Sequence, residues 1–257
     1  MGECQPFSVA IIAYNEERNL PRCLTSVQSA DEIVLVDSGS TDRTRAVARA
    51  HRARVIEQPW LGYVAQKNFA VGQTTHSWVL SLDADEWLTA DGAAEIRAAL
   101  RDPRADAYAF NRRTAFSGAF LRRVWNPDWQ VRLFRKDKGR FEGGQVHESV
   151  RMDPGARTLR LEVRLPHLAY RSIRDYVERM NRYTDLAART LQEQGRPNSL
   201  TRLMLSPPAT FLKLYVLKRG FLDGIRGWVV SAGSAFYVLL KYAKLWELSR
   251  QGDPELE

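Results

Sequence analysis

The sequence predicts an α/β fold: a mostly parallel, Rossmann-like sheet flanked by helices, followed by a helical C-terminal extension. Three observations predict it. Short apolar, β-branched runs alternate with helix-like segments through residues 1–100. Each of the best-formed runs ends abruptly in a polar cluster. From Ser172 onward the apolar residues fall at helical spacing.

Taken in order, Phe7–Ala13 is a buried strand, broken by Asn15-Glu16-Glu17-Arg18-Asn19, and a helix follows from about Leu20 to Ala30. Glu32–Val36 is the second strand, stopped by Asp37-Ser38-Gly39-Ser40. Ser40 or Thr41 can cap a helix reaching about His51. Arg54–Glu57 is the third strand, Tyr63–Val71 a helix and Ser77–Leu82 the fourth strand. Ala90–Arg101 is rich in good helix formers. Ala107–Arg112, Val131–Arg135 and Arg157–Leu165 are expected to extend the sheet in mixed fashion. Ser172–Glu193 carries a helical stripe at Ile173, Tyr176, Val177, Met180, Tyr183 and Leu186, and Pro197, Pro207 and Pro208 punctuate the chain beyond it. Gly227–Leu240 is charge-free and bracketed by Arg226 and Lys241. At fourteen residues it falls short of the roughly 20 that span a bilayer. It suits either an apolar cap on the sheet or a helix in the membrane interface, where Trp and Tyr beside Lys and Arg are typical.

Composition bounds the rest. The 257 residues, 44% hydrophobic and 26% charged, are enough for one substantial domain and an appendage, which excludes wholesale disorder. The net charge of +8 is uneven: residues 1–100 carry 9 Lys/Arg against 13 Asp/Glu, residues 101–257 carry 29 against 17. The basic half suits nucleic acid, anionic lipid or a phosphorylated substrate. Cys4 and Cys23 have no metal-ligand spacing and form no disulfide framework, so a reducing compartment is expected. The N-terminus lacks basic and apolar signal regions, so no secretory signal is expected.

In open α/β sheets ligands bind beyond the carboxyl ends of the strands. That rule collects Tyr14-Asn15-Glu16, Asp37-Ser38-Gly39-Ser40 and Asp83-Ala84-Asp85-Glu86 at one edge. A loop Asp ordinarily does no more than cap a helix. Here Asp-x-Asp follows a strongly apolar strand, and in extended backbone the two carboxylates share a side. Such a pair suits Mg²⁺, which takes one or two carboxylates and completes its shell with water and phosphates.

Ser8–Glu17, Val34–Asp42 and Asp83-Ala84-Asp85, in that order and spacing, resemble family 2 of the inverting glycosyltransferases, which have the GT-A fold. The resemblance covers residues 7–150. Gln130–Arg135 and Val146-His147-Glu148 are similar to a bacterial subgroup that builds lipopolysaccharide inner core, including β-1,4-glucosyltransferases acting on heptose. The expected organisation is a catalytic domain over residues 1–168, with a nucleotide-sugar half at 1–100 and an acceptor half at 101–168, and a helical region at 169–257 that either caps the sheet or associates with the membrane. The resemblance implies that Ala13, Tyr14 and Glu16 line the base pocket of a nucleoside-diphosphate sugar, and that Asp37 accepts the uracil N–H unless it only caps a helix. Gln66-Lys67-Asn68 matches a segment near base and phosphates, where Lys67 neutralises phosphate or lies on a solvated face. Asp83 would contact ribose or a metal-bound water, and Asp85 would be the principal ligand of Mg²⁺ or Mn²⁺. Glu86 has no assigned role. Arg132 and Arg135 are candidates for the diphosphate, or are surface charges. Glu148 is the expected general base, following a Gly143-Gly144 hinge, with His147 beside it to orient the acceptor; both otherwise form a surface loop pair.

The reaction implied is transfer of a sugar, with inversion, from a UDP-sugar to a hydroxyl of a lipid-linked glycan in cell-envelope synthesis. A nucleotidyltransferase of similar architecture would carry a Gly-rich basic loop after strand one, where this chain has Ala-Tyr-Asn-Glu-Glu. A dehydrogenase needs G-x-G-x-x-G, which is absent. A basic membrane- or nucleic-acid-binding module leaves the acidic edge unexplained, since carboxylates repel phosphate. The expected partners are the donor, the lipid-linked acceptor and anionic lipid at the cytoplasmic face of the inner membrane, with no nucleic acid; the tail also allows a helix–helix dimer.

Overall fold

The apolar runs become strands because both sheet faces have something to bury them. In β1 (Phe7–Ala13), Phe7, Val9, Ile11 and Ala13 enter one core and Ala10 the other. β2 (Glu32–Asp37) sends Ile33 and Leu35 to the first core, Val34 and Val36 to the second. β3 spans Arg54–Glu57. In β4 (Trp78–Asp83), Trp78, Leu80 and Leu82 alternate with Val79 in the same way. This period-2 alternation between two apolar faces is what a central parallel strand requires. The structure, a computed structural model, describes residues 4–144, 148–197 and 199–250.

Helices α1 (Leu20–Ser26), α2 (Thr44–Ala50) and α4 (Ala90–Arg101) contribute to the first core through Leu20, Leu24, Ala48, Ile96 and Leu100. Thr89 caps α4 by accepting the Gly92 N–H. The second core is closed by α3 (Tyr63–Gly72) and by a hairpin of β8 (Gly139–Gly143) and β9 (Glu148–Met152). This hairpin was not expected from the sequence. Its strands alternate with charged residues and its apolar signal is only Phe141, Val150 and Met152.

β5 (Ala107–Phe116), a short β6 (Ala119–Phe120), β7 (Trp129–Arg135) and β10 (Thr158–Tyr170) complete the main sheet in the order β10-β5-β7-β4-β1-β2-β3, with β6 on β5. β1 to β4 pair in parallel, and β7 joins β4 antiparallel. The order reverses between β1 and β4, so the ligand crevice lies beyond their carboxyl ends. Register places Asp37 opposite Ala13 and Asp83 opposite Ile12.

The chain divides into two units, one built from residues 4–113, 127–143 and 148–168, the other from 114–126, 144, 169–197 and 199–250 among the described residues. Residues 114–126 thus group with the helices. The second unit has its own core of Phe116, Leu121, Val124, Tyr176, Met180, Leu214 and Val230. In α5 (Ile173–Glu193) the buried stripe is Tyr176, Met180, Thr184 and Ala188, narrower than expected, and Ile173 and Val177 are exposed. α6 (Leu200–Leu212) runs through Pro207 and Pro208, which in the sequence resemble breaks. The two prolines remove donors to the Leu203 and Met204 carbonyls. No α6 residue is buried, so those carbonyls are not sealed in a core. A π-helical turn (Lys213–Leu217) and a 3₁₀ turn (Gly220–Asp223) lead into α7 (Gly224–Arg250), which contains the charge-free stretch. No helix among the described residues is long and apolar enough to cross a membrane.

Candidate active site

The crevice is built first from the loops after β1 and β2. Asn15 adopts a left-handed backbone with φ 55°, a conformation Asn tolerates better than most residues. Its N–H donates to Ser40 Oγ (2.9 Å) and its Oδ1 accepts the Thr41 N–H (2.8 Å). The Glu16 N–H donates to Thr44 Oγ1, so the two loops are laced together. Ala13 is buried at the crevice floor and Tyr14 is 58% exposed. Asp37 is fully buried. Its Oδ2 accepts the Gly39 and Ser40 N–H groups at 3.0 and 2.9 Å, while Oδ1 is buried with no partner among the described residues. Gly39 and Ser40 lie in the turn before α2, which starts at Thr44, so Asp37 caps no helix and this turn accounts for only one of its oxygens.

Three consecutive residues of α3 point to three different tasks. Gln66 is buried, donating to Ser38 Oγ and the Gln58 carbonyl and accepting the Leu61 N–H. Asn68 clamps β8 by accepting the Phe141 N–H and donating to its carbonyl. Between them Lys67 reaches Asp83 Oδ1 at 2.7 Å and Glu148 Oε1 at 2.8 Å. Lys67 is thus no solvated surface charge: its side chain is 4% exposed. Burial works against its ammonium, but the charges of Asp83 and Glu148 and the hydrogen bond to Asp83 together outweigh burial and raise its pKa.

The acidic stretch is a turn rather than extended backbone. The Glu86 N–H donates to the Asp83 carbonyl, and Asp83 and Asp85 take different partners. Asp83 is gripped by Lys67 on Oδ1 and by Arg132 Nη2 on Oδ2 (3.1 Å). Burial opposes its ionisation, yet Lys67 and Arg132 hold it well below the usual carboxylate range. Glu86, fully buried, accepts from Arg132 Nη2 at 2.5 Å and from the Asp83 N–H at 3.1 Å, and lies 3.7 Å from Arg112 Nη1. Arg112 also pairs with Asp128 at 2.7 Å. Glu86 is therefore the anchor of two arginines, a role not evident in the sequence.

Arg132 corrects the expectation of a diphosphate contact. It is buried against Asp83 and Glu86 and braces the turn. Arg135 is not in the site at all. It pairs with Trp78 at the far end of β4 and its guanidinium binds Asp137. Three residues from Arg132 on a strand, it must face the other way. Glu16 sits in the loop beside Thr44. His147 lies outside the described residues.

Asp85 Oδ2 meets His167 Nε2 at 3.4 Å; His167 stands on β10, where the Leu168 N–H donates to the Asp85 carbonyl. Burial lowers the imidazole pKa, but the charge and hydrogen bond of Asp85 with the charge of Glu86 together outweigh it and the net shift is upward. No spacing pattern could have announced His167; a Pro166-His167 step at a strand's end was the only signal. Lys67, Arg112 and Arg132 pair with four carboxylates (Asp83, Glu86, Asp128, Glu148), one more than their own number, while Asp85 faces His167. Among the described residues no three His, Cys, Asp or Glu side chains gather closely enough to hold a metal alone. An Asp–His pair with surplus negative charge fits a divalent cation that takes its remaining ligands from phosphate and water.

Residues 8–153 match the family model for glycosyl transferase family 2. The chain belongs to glycosyl transferase family 2. This glycosyltransferase is 35% identical to an uncharacterized glycosyltransferase of Rickettsia typhi, over 94% of its own length and 87% of the relative's. It is 30% identical to the lipopolysaccharide core biosynthesis glycosyltransferase LpsC of Rhizobium meliloti, over 94% and 92%. In fold it is similar to S. aureus TarS 1–349 in complex with UDP-GlcNAc, with a TM-score of 0.51 at 14% identity, covering 96% of this chain and 92% of that one. The nucleotidyltransferase and binding-module readings are set aside by this membership. The glycosyltransferase keeps the expected α/β architecture, with a mostly parallel sheet between helices and a long C-terminal helix.

Proposed function

We propose that this glycosyltransferase moves a sugar from a UDP-sugar to a hydroxyl of a lipid-linked glycan, with inversion, in lipopolysaccharide core or related envelope synthesis at the cytoplasmic face of the inner membrane. The observation that carries the donor reading is Asp37 Oδ1, a buried carboxylate oxygen at the crevice floor without a partner among the described residues. A buried acceptor left unpaired is costly, and a uracil ring N–H supplies the missing donor. Exposed Tyr14 offers the base a stacking face beside it. The relative LpsC supports the core-synthesis reading, and the UDP-GlcNAc complex of TarS is in keeping with a uridine donor.

Asp85 and His167 would hold Mg²⁺ or Mn²⁺. Bound there, the ion supplies a positive charge for the diphosphate that departs with the electron pair of the broken glycosidic bond. This chain's own nearby cations are already matched: Lys67 by Asp83 and Glu148, Arg132 by Asp83 and Glu86. Glu148 takes the proton of the acceptor hydroxyl as that oxygen attacks the anomeric carbon. Lys67 orients Glu148 through their 2.8 Å contact.

Release of nucleoside diphosphate from UDP-, GDP- and CDP-sugars, with Mg²⁺ or Mn²⁺ and then EDTA, tests the reading. Turnover is expected with UDP-sugars and loss of it with EDTA. Use of CDP-sugars, whose base lacks that ring N–H, would sink the Asp37 assignment. Undiminished activity in EDTA would sink the metal.

A further inference from the structure

We propose that the crest running from the end of α6 through the π and 3₁₀ turns to the start of α7 docks onto the headgroup layer of an anionic lipid bilayer. The crest exposes Leu212, Val216, Leu217, Phe221, Leu222 and Ile225, with Leu217 at 78% and Ile225 at 72%. They are not stray surface residues. Beneath them Tyr215 contacts Phe221 and Trp228 at ring distances of 6.2 and 5.4 Å, which holds the two turns against α7. A contiguous apolar surface of this kind marks an interaction site.

Charge says what the surface meets. From Gln194 to Leu222 the sequence has Arg196, Arg202, Lys213, Lys218 and Arg219 and no Asp or Glu. Lys213 and Arg219 are exposed among the apolar side chains. The next acid, Asp223, is turned inward, its carboxylate accepting the N–H groups of Arg122, Arg123 and Val124 at 2.8–2.9 Å. Those bonds bring two more arginines, both exposed, beside the crest. Apolar side chains with a basic fringe and no exposed acid match a bilayer interface, where acyl chains lie beneath anionic headgroups. Nucleic acid would satisfy the charge and leave the aliphatic residues unmatched. A second copy packed crest on crest would oppose like charges. No helix among the described residues spans a membrane, so the surface lies on the bilayer rather than through it.

This inference deepens the lipid-linked acceptor reading and rests on it for its purpose. Vesicle binding requires neither donor nor acceptor, so either can fail alone. The test is co-sedimentation of the full chain with vesicles of phosphatidylcholine alone or with phosphatidylglycerol, at low and high salt. Binding is expected only to the anionic vesicles, weakened by salt. Leu217→Glu with Leu222→Glu should lower partition at least about tenfold. Lys213→Glu with Lys218→Glu should do likewise while conserving the apolar residues. Circular dichroism and the mass in solution accompany each variant. Wild-type protein that ignores anionic vesicles, or folded variants that bind as well as wild type, would overturn the proposal. So would a dimer that both variants dissociate without any vesicle binding, since the crest would then join two copies.

Discussion

Lys67 holds two carboxylates at once, and that one contact pattern decides what a substitution at Glu148 should do. Glu148→Gln retains shape and keeps an oxygen for Lys67, yet cannot take a proton. Turnover should fall by about 10²–10⁴-fold while the donor KM changes little. Steady-state kinetics with varied UDP-sugar checks this, and wild-type turnover would end the base assignment. At this scale the sequence was half legible. The clusters after β1, β2 and β4 announced a crevice, because strand ends carry their loops there. Lys67 and Arg132 were legible as phosphate candidates but not as partners of Asp83, and His167 was not legible at all. Lys67, Arg132 and His167 come from α3, β7 and β10, and only tertiary packing brings them to Asp83 and Asp85. Arg135 could have been rejected on period alone.

Elements depend on single positions in two places. α7 begins against the 3₁₀ turn, where a Cβ on Gly227 would sit 1.8 Å from the Gly220 carbonyl oxygen. That oxygen is backbone and cannot swing away. Gly227→Ala should destabilise the helical unit by about 2–4 kcal/mol despite alanine's better helix propensity. A thermal melt followed by circular dichroism measures it. At the start of β2, Glu32 is the second place. Burial would raise its carboxyl, but hydrogen bonds from Ser8 Oγ, the Thr75 N–H, Arg54 and Thr75 Oγ1 outweigh burial and hold it at about 2, against 4.5 for the free side chain. The depressed value means the stabilisation is complete above about pH 4.5 and is lost as pH falls toward 2. Glu32→Gln should therefore cost of the order of 2 kcal/mol at pH 7, after solvent screening, and much less near pH 2. Urea midpoints at the two pH values decide it. Strands β1 to β4 were legible because each is apolar on two faces. The β8–β9 hairpin was not, because its exposed face breaks the run with charge, and the prolines of α6 hid a helix that no core encloses.

At the scale of the whole molecule, the charge asymmetry of the sequence has two separate destinations. The acidic first half supplies the strand-end clusters of the crevice, and the basic second half supplies the crest and the arginines that brace the acidic turn. A ligand that binds only the folded crevice must stabilise the sheet unit. UDP with Mn²⁺ at about a hundred times Kd adds about 2.7 kcal/mol, a rise in Tm of about 5–10 °C. UDP with EDTA should give a much smaller rise, and an equal one would speak against the Asp85–His167 pair. Fold class was legible at this scale because alternation and strand-end clusters agree. The separate core of the helical unit was not, because Phe116, Leu121 and Val124 lie far in sequence from the helices they join.

Glu86 carries a historical consequence. It is buried between Arg132 and Arg112, so a change to an uncharged residue at that position leaves Arg132 to Asp83 and Arg112 to Asp128 and removes the group that joins them. Losing Arg132 alone takes from buried Glu86 the nearer of its two cations. A single change at either position should lower stability. The three residues should be inherited together, and a lineage that abandons one should show compensating change at another.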